Sequence, residues 1–272
     1  MPKPFTRNLL AATALCVCTA GAQATFTITL NFTNLTLTQQ SYFTAAKSFW
    51  ESAITGYKPG ISLTGFAIAA NGANIDGVGG ILGSAGPTTA TTQGGFVLTT
   101  AGSMDFDLAD VNNLITAGSF GDVIKHEMGH VIGFGTLWTN NNVYVNGSGK
   151  FTGAAALAQY KTEFIGQGAA TFIPVELGGG SGTADGHWNE VDGGGANTGI
   201  VDAQGHDFRN ELMTGWLDAP TFTSRTTIAS FQDIGYAVNL APAVPEPAVI
   251  ALLLLGIPLV AGAAARRQRK AA

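Results

Sequence analysis

Phe26, Ile28, Leu30 and Phe32 alternate with Thr25, Thr27, Thr29 and Asn31, a period of two that predicts a strand with one buried face. From Ser41 the period lengthens. Phe43, Ala46, Trp50, Ala53, Ile54 and Tyr57 fall on one helical stripe, and Pro59-Gly60 closes it. Strand patterns return near residues 61–69 and 95–100, with a glycine-rich loop between them. A second helix is expected over 121–133, with Val123, Ile124, Val131 and Ile132 toward the core and Gly133 at its C-terminal end. A third helix is expected over 154–164. Residues 178–205 are rich in Gly, Asp and Asn and have almost no apolar period, so they predict a long loop anchored by something other than a core, such as a metal ligand. A last helix begins near a Ser224 cap and carries Ile228, Phe231 and Ile234. The sum is an α+β fold: two lobes, a small twisted sheet with helices packed on it, and a loop-rich C-terminal lobe.

The two ends of the 272-residue chain follow other rules. Lys3 and Arg7 precede an apolar run from Leu9 to Val17, and Ala22-Gln23-Ala24 offers a small-x-small cleavage site, so residues 1–24 read as a secretory signal peptide. Near the other end, 248–265 is an uncharged 18-residue stretch followed by Arg266, Arg267, Arg269 and Lys270, long enough for a transmembrane helix. The folded domain is expected over 25–243.

Charge divides the same way. Six of the 13 Lys and Arg lie in residues 1–24 and 248–272, which hold none of the 18 Asp and Glu, so residues 25–247 carry seven basic and 18 acidic side chains, a net −11. Such a surface lacks the clustered cations that bind a phosphate backbone, which excludes nucleic acid as a partner. Cys16 and Cys18 both fall within the signal segment, so the exported domain has no disulfide. With 37 glycines but 46% apolar residues, the chain should nevertheless fold around a core.

The sharpest chemical feature is His126-Glu127-Met128-Gly129-His130. Positions four apart share a helix face, so both imidazoles can reach one Zn²⁺, with Glu127 beside the open coordination position as general base and then acid. Two His four apart also occur by chance on core or surface helices. Use of two of the chain's four histidines in this pattern, on an exported chain, favours the zinc reading. A third ligand is then required. Gly133 stands where metzincin metallopeptidases turn the chain, but Thr136 occupies the place of their third His, leaving His187 and His206 as the remaining histidines.

At this point the chain resembles the leishmanolysin-like metallopeptidases, metzincins with a long insertion before the third His. The resemblance rests on HEMGHVIGFGTLW from His126, ELGGGSGTADGHW ending at Trp188, ELMTG at 211–215 and TTIASFQDIGY at 226–236. It implies a metzincin-like fold, zinc-dependent endopeptidase activity on protein or peptide substrates, His187 as third ligand 57 residues after His130, and Met213 in a Met-turn under the metal. His206 is the alternative third ligand. The chain departs from leishmanolysin in having no cysteine for disulfides or for a latency switch in the exported part. Asp192, Asp202 and Asp207 could hold Ca²⁺, although no regular calcium-loop spacing is present and a solvated acidic loop is the plainer reading. Substrate is expected to pair as a strand along an edge near residues 95–100.

The C-terminal Val244-Pro245-Glu246-Pro247, apolar span and basic tail resemble the PEP-CTERM sorting signal of Gram-negative bacteria. The resemblance implies that 244–272 anchors the protein in the membrane until an exosortase-type transpeptidase delivers it to the envelope, surface or extracellular matrix. Two rival functions are weighed. One is a surface or matrix protein whose zinc site is purely structural. The other is a gluzincin-type hydrolase with Glu163 as third ligand.

Overall fold

The computed structural model describes residues 25–190 and 197–241; both end segments, 1–24 and 244–272, lie outside that range. Helix and strand contribute almost equally, 29% and 28%, in a mixed α/β arrangement compatible with α+β. Among the described residues no helix is long and apolar enough to cross a membrane.

Strand β1 (Thr27–Thr33) leads into helix α1 (Leu37–Ala53), then β2 (Ile54–Tyr57), β3 (Gly65–Ala73), β4 (Gly83–Gln93) and β5 (Phe96–Asp107). The main sheet runs β1-β3-β5-β4, with the first three strands parallel and β4 antiparallel at one edge. β4 and β5 are joined through Gly94 and Gly95, whose φ values of 58° and 84° suit a two-residue hairpin turn that side-chain-bearing residues resist.

Four differences from the sequence expectation have physical causes. Helix α1 starts earlier, because Thr36 forms a capping box with Gln39. It also ends earlier: Ile54 to Tyr57 leave the helix to pair antiparallel with β8 (Tyr236–Val238), a partner almost the length of the domain away. β4 was expected as loop because GSAGPTTATTQ has no large apolar residue; it is an edge strand held by its ladder with β5. Helix α2 (Leu108–Ala117) is an element the hydrophobic pattern does not predict; Asp107 caps its start through the Ala109 amide and Gly118 ends it at φ 77°.

Helix α3 (Phe120–Ile132) lies against the sheet and α1. Contact is close at Gly102 on β5, where a β-carbon would sit 2.3 Å from Val131 Cγ1. Phe43, Phe106 and Phe120 meet edge-to-face in the core beneath, and the Trp50 indole donates to the Lys125 carbonyl. The C-terminal carbonyls of α3, which a helix cannot satisfy itself, each receive a hydroxyl: Thr136 donates to His130, Thr99 to Val131 and Tyr236 to Ile132.

The second half is mostly loop. Its helices α4 (Ala154–Glu163) and α5 (Arg225–Asp233) cap one another: Glu163 accepts from the Arg225 and Thr226 amides, and Asp233 accepts from those of Ala155 and Ala156. Each carboxylate sits at its own helix's C-terminus yet serves its partner's N-terminus, where negative charge is favourable. Short strands β6 (Lys150–Phe151) and β7 (Ile173–Pro174) pair antiparallel. Phe134, Trp138, Phe151, Trp188 and Phe208 form a buried aromatic core under these loops. The few described residues beyond Val238 form a separate unit in which the Ala241 amide donates to Asn239.

Candidate metal centre

His126 and His130 stand one turn apart on α3, and the chain returns 57 residues after His130 to bring His187 onto the same point. The three Nε2 atoms lie 3.0 to 3.1 Å from one another. Each ring's other nitrogen faces a backbone carbonyl: Nδ1 of His126 lies 2.7 Å from Leu212 O, that of His130 2.9 Å from Phe134 O, and that of His187 2.8 Å from Thr183 O. A carbonyl can only accept, so these contacts assign the single proton of each neutral ring to Nδ1. Three Nε2 lone pairs then converge with no proton between them.

The rings are held neutral by their surroundings. Burial lowers the pKa of His126; burial and the two neighbouring imidazoles lower that of His130 well below the usual range; burial, then His126, lowers that of His187 to about 3. With their lone pairs facing one another at this distance, the three imidazoles could hold a metal ion.

Sequence and local backbone explain the convergence. Gly133, at φ 134°, ends α3 and lets Phe134 present its carbonyl back to His130. Gly129 has no side chain, and a β-carbon there would lie 3.0 Å from both Sδ and Cε of Met213, which is fully buried against the helix. The Met213 carbonyl in turn accepts from the Trp188 amide, while the Glu176 amide donates to the His187 carbonyl. The third imidazole is thus pinned on both sides by main-chain bonds.

Glu127 lies between the two helical ligands. It is partly open to solvent yet enclosed enough that burial alone raises its carboxyl to about 7. Glu211 is completely buried; its carboxylate takes four donors, and burial still outweighs them to push its pKa up to about 7. Trp188 and Tyr236 are core residues, their polar atoms engaged by Thr227 and Ile132.

His206 is elsewhere. Its ring stacks on Phe222 and its Nδ1 bonds Asp202 at 2.8 Å, so the alternative third ligand is not part of the cluster. Glu163 is committed to the amides of α5, which corrects the gluzincin alternative. Asp202 and Asp207 are likewise occupied. Asp202 accepts from Gln204 and His206, and Asp207 from Thr198, Gly199 and Arg209; these bonds stabilise loop turns and leave nothing arranged around a cation. Asp192 lies outside the described residues. The expected substrate edge also moves. Residues 96–100 pair with β4 on one side, and Val97's main chain is bonded by the Asn141 carboxamide, so the free antiparallel edge belongs to β4.

The sequence did not reveal the carbonyls of Leu212, Phe134 and Thr183, since every residue has one and only the fold aims it. It also gave no sign of a pair formed by Glu190 and Asp218. Glu190 is buried with one oxygen on the Trp216 amide, and its pKa rises to about 8 through burial and then the nearby Asp218 charge. Comparison with protein-family models gives no match to this chain, and comparison with curated proteins gives none either.

Proposed function

We propose that the chain is an exported zinc-dependent endopeptidase of the leishmanolysin-like metzincin kind. The observation carrying this reading is the convergence of three Nε2 lone pairs, each ring oriented by a carbonyl, beside a glutamate with no competing partner among the described residues. A zinc-class ion held by His126, His130 and His187 would supply an acidified water and an electrophile for the scissile carbonyl.

The chain's own groups supply the rest. Glu127 takes the proton from the attacking water on a carboxylate oxygen and hands it to the leaving amine nitrogen. Burial raises the Glu127 carboxyl above the usual carboxylate range, the direction that lets one group serve as base and then as acid near neutral pH. The edge of β4, the strand against which α3 packs, would offer main-chain donors and acceptors to an extended peptide substrate. The protein envisaged is secreted through residues 1–24, held at the membrane by 248–265, and sorted by an exosortase-type transpeptidase to the surface or matrix of a Gram-negative bacterium. A purely structural zinc site explains the three imidazoles equally well but gives no reason for an unpartnered, enclosed Glu127.

The test is hydrolysis of denatured casein by the zinc-loaded domain. Cleavage that disappears with a chelator and in Glu127→Ala is the expected result. A folded domain with stoichiometric zinc and no cleavage of casein or a peptide library would turn the reading toward the structural site.

A further inference from the structure

We infer that Glu211 is a positioning residue that sets the geometry of two of the three imidazoles at once. This rests on the metal-binding part of the proposed function. Its carboxylate is buried, and each oxygen has a distinct task. Oε2 accepts the Met213 amide at 2.6 Å, while Oε1 accepts the Ser224 amide, the Ser224 hydroxyl and the Thr227 hydroxyl at 2.9, 2.9 and 2.6 Å.

Two lines of contact lead from there to the histidines. The bond to the Met213 amide fixes the turn in which Leu212 turns its carbonyl to His126 Nδ1, 2.7 Å away. Thr227, oriented by Oε1, receives the Trp188 indole N–H at 2.8 Å, and Trp188 is joined by its peptide bond to His187. One carboxylate therefore ties the Met-turn, the start of α5 and the third-ligand segment into a single unit. Its neighbours are two backbone amides and two hydroxyls. The amides can only donate, so the site demands an acceptor at both oxygens. Glutamine cannot meet that demand: whichever way its amide is turned, one N–H group faces the Met213 or the Ser224 amide.

Glu163 gives the matching control. It caps the same helix from the other side, through the Arg225 and Thr226 amides, without a bond to the Met-turn or to Trp188.

The experiment is zinc affinity of the full chain, measured by competition with a chromogenic chelator, with the visible spectrum of the Co²⁺-loaded protein as a second readout. Glu211→Gln is expected to weaken zinc binding by about 10- to 100-fold, the range found when groups that orient metal ligands are altered, and to shift the Co²⁺ bands. Glu163→Gln is expected to lower Tm while leaving both unchanged. Equal affinity and spectrum in Glu211→Gln and wild type would overturn the assignment, as would an equal loss in Glu163→Gln. If Glu211→Gln does not fold, Thr227→Val decides: it breaks the link to Trp188 with little change of shape, and unchanged affinity there would overturn the inference too. Wild type that binds no zinc would instead defeat the metal-site reading itself.

Discussion

Gly135 and Gly186 meet backbone against backbone: a β-carbon on Gly135 would lie 2.3 Å from the Gly186 carbonyl oxygen. The contact joins the turn just after His130 to the residue just before His187. Gly135 also has φ 70°, a conformation that costs an L side chain about 1 kcal/mol or more. Gly135→Ala should therefore push the third-ligand segment away, lowering Tm and weakening zinc binding together. Titration of the variant with zinc checks this, and wild-type affinity would show that the segment can shift without moving His187.

Glu127→Gln should separate binding from chemistry. The imidazoles do not depend on Glu127 for their orientation, so zinc stoichiometry should stay at the wild-type level. Peptide hydrolysis should fall by about 10²- to 10⁴-fold, the usual contribution of a general acid–base. Metal analysis and initial rates on one preparation provide the comparison.

The two remaining histidines should behave differently. His187→Ala removes one of three converging nitrogens and should abolish tight zinc binding, whereas His206→Ala breaks only the contacts with Asp202 and Phe222. Retained zinc in the first variant and lost zinc in the second would reverse the assignment.

Glu190 should leave a mark on stability against pH. Its folded pKa of about 8 stands above the model-compound value of 4.5, so its contribution is complete below about pH 4.5 and is lost as pH rises toward 8. Glu127 and Glu211, raised to about 7, slope the same way. Below about pH 6.5 the three imidazoles, whose pKa values are lowered by burial, slope the other way, so Tm in the metal-free protein should fall between about pH 6.5 and 8. Glu190→Gln keeps an acceptor for Trp216 and adds a donor for Asp218, so the fall should become shallower and Tm at pH 8 should rise. An unchanged slope would mean that Glu190 is ionised throughout.

The legible parts of the fold were those governed by neighbours in sequence. The alternation around Phe26 and Ile28, the α3 stripe ending at Gly133 and the Ser224 cap of α5 each depend on a few adjacent residues, and each is found where expected. β4 was illegible because its side chains are small or polar and its strand character comes from pairing with β5. β2 was hidden for a related reason: Ile54 and Tyr57 also fit the α1 stripe, and only β8 draws them out of it.

The same division runs through the metal centre. Sequence alone determined that His126 and His130 share one helix face, with Glu127 beside them three residues before His130, because the turn of an α-helix fixes positions three and four apart. Tertiary structure placed His187, and not His206, beside His126 and His130, set the three carbonyls that orient the rings, and left the open sheet edge on β4. Those outcomes depend on loop closure over tens of residues and on backbone groups that every residue carries. Their directions are set by main-chain bonds such as Trp188 to Met213 and Glu176 to His187, so side-chain identity along the chain could not encode them locally.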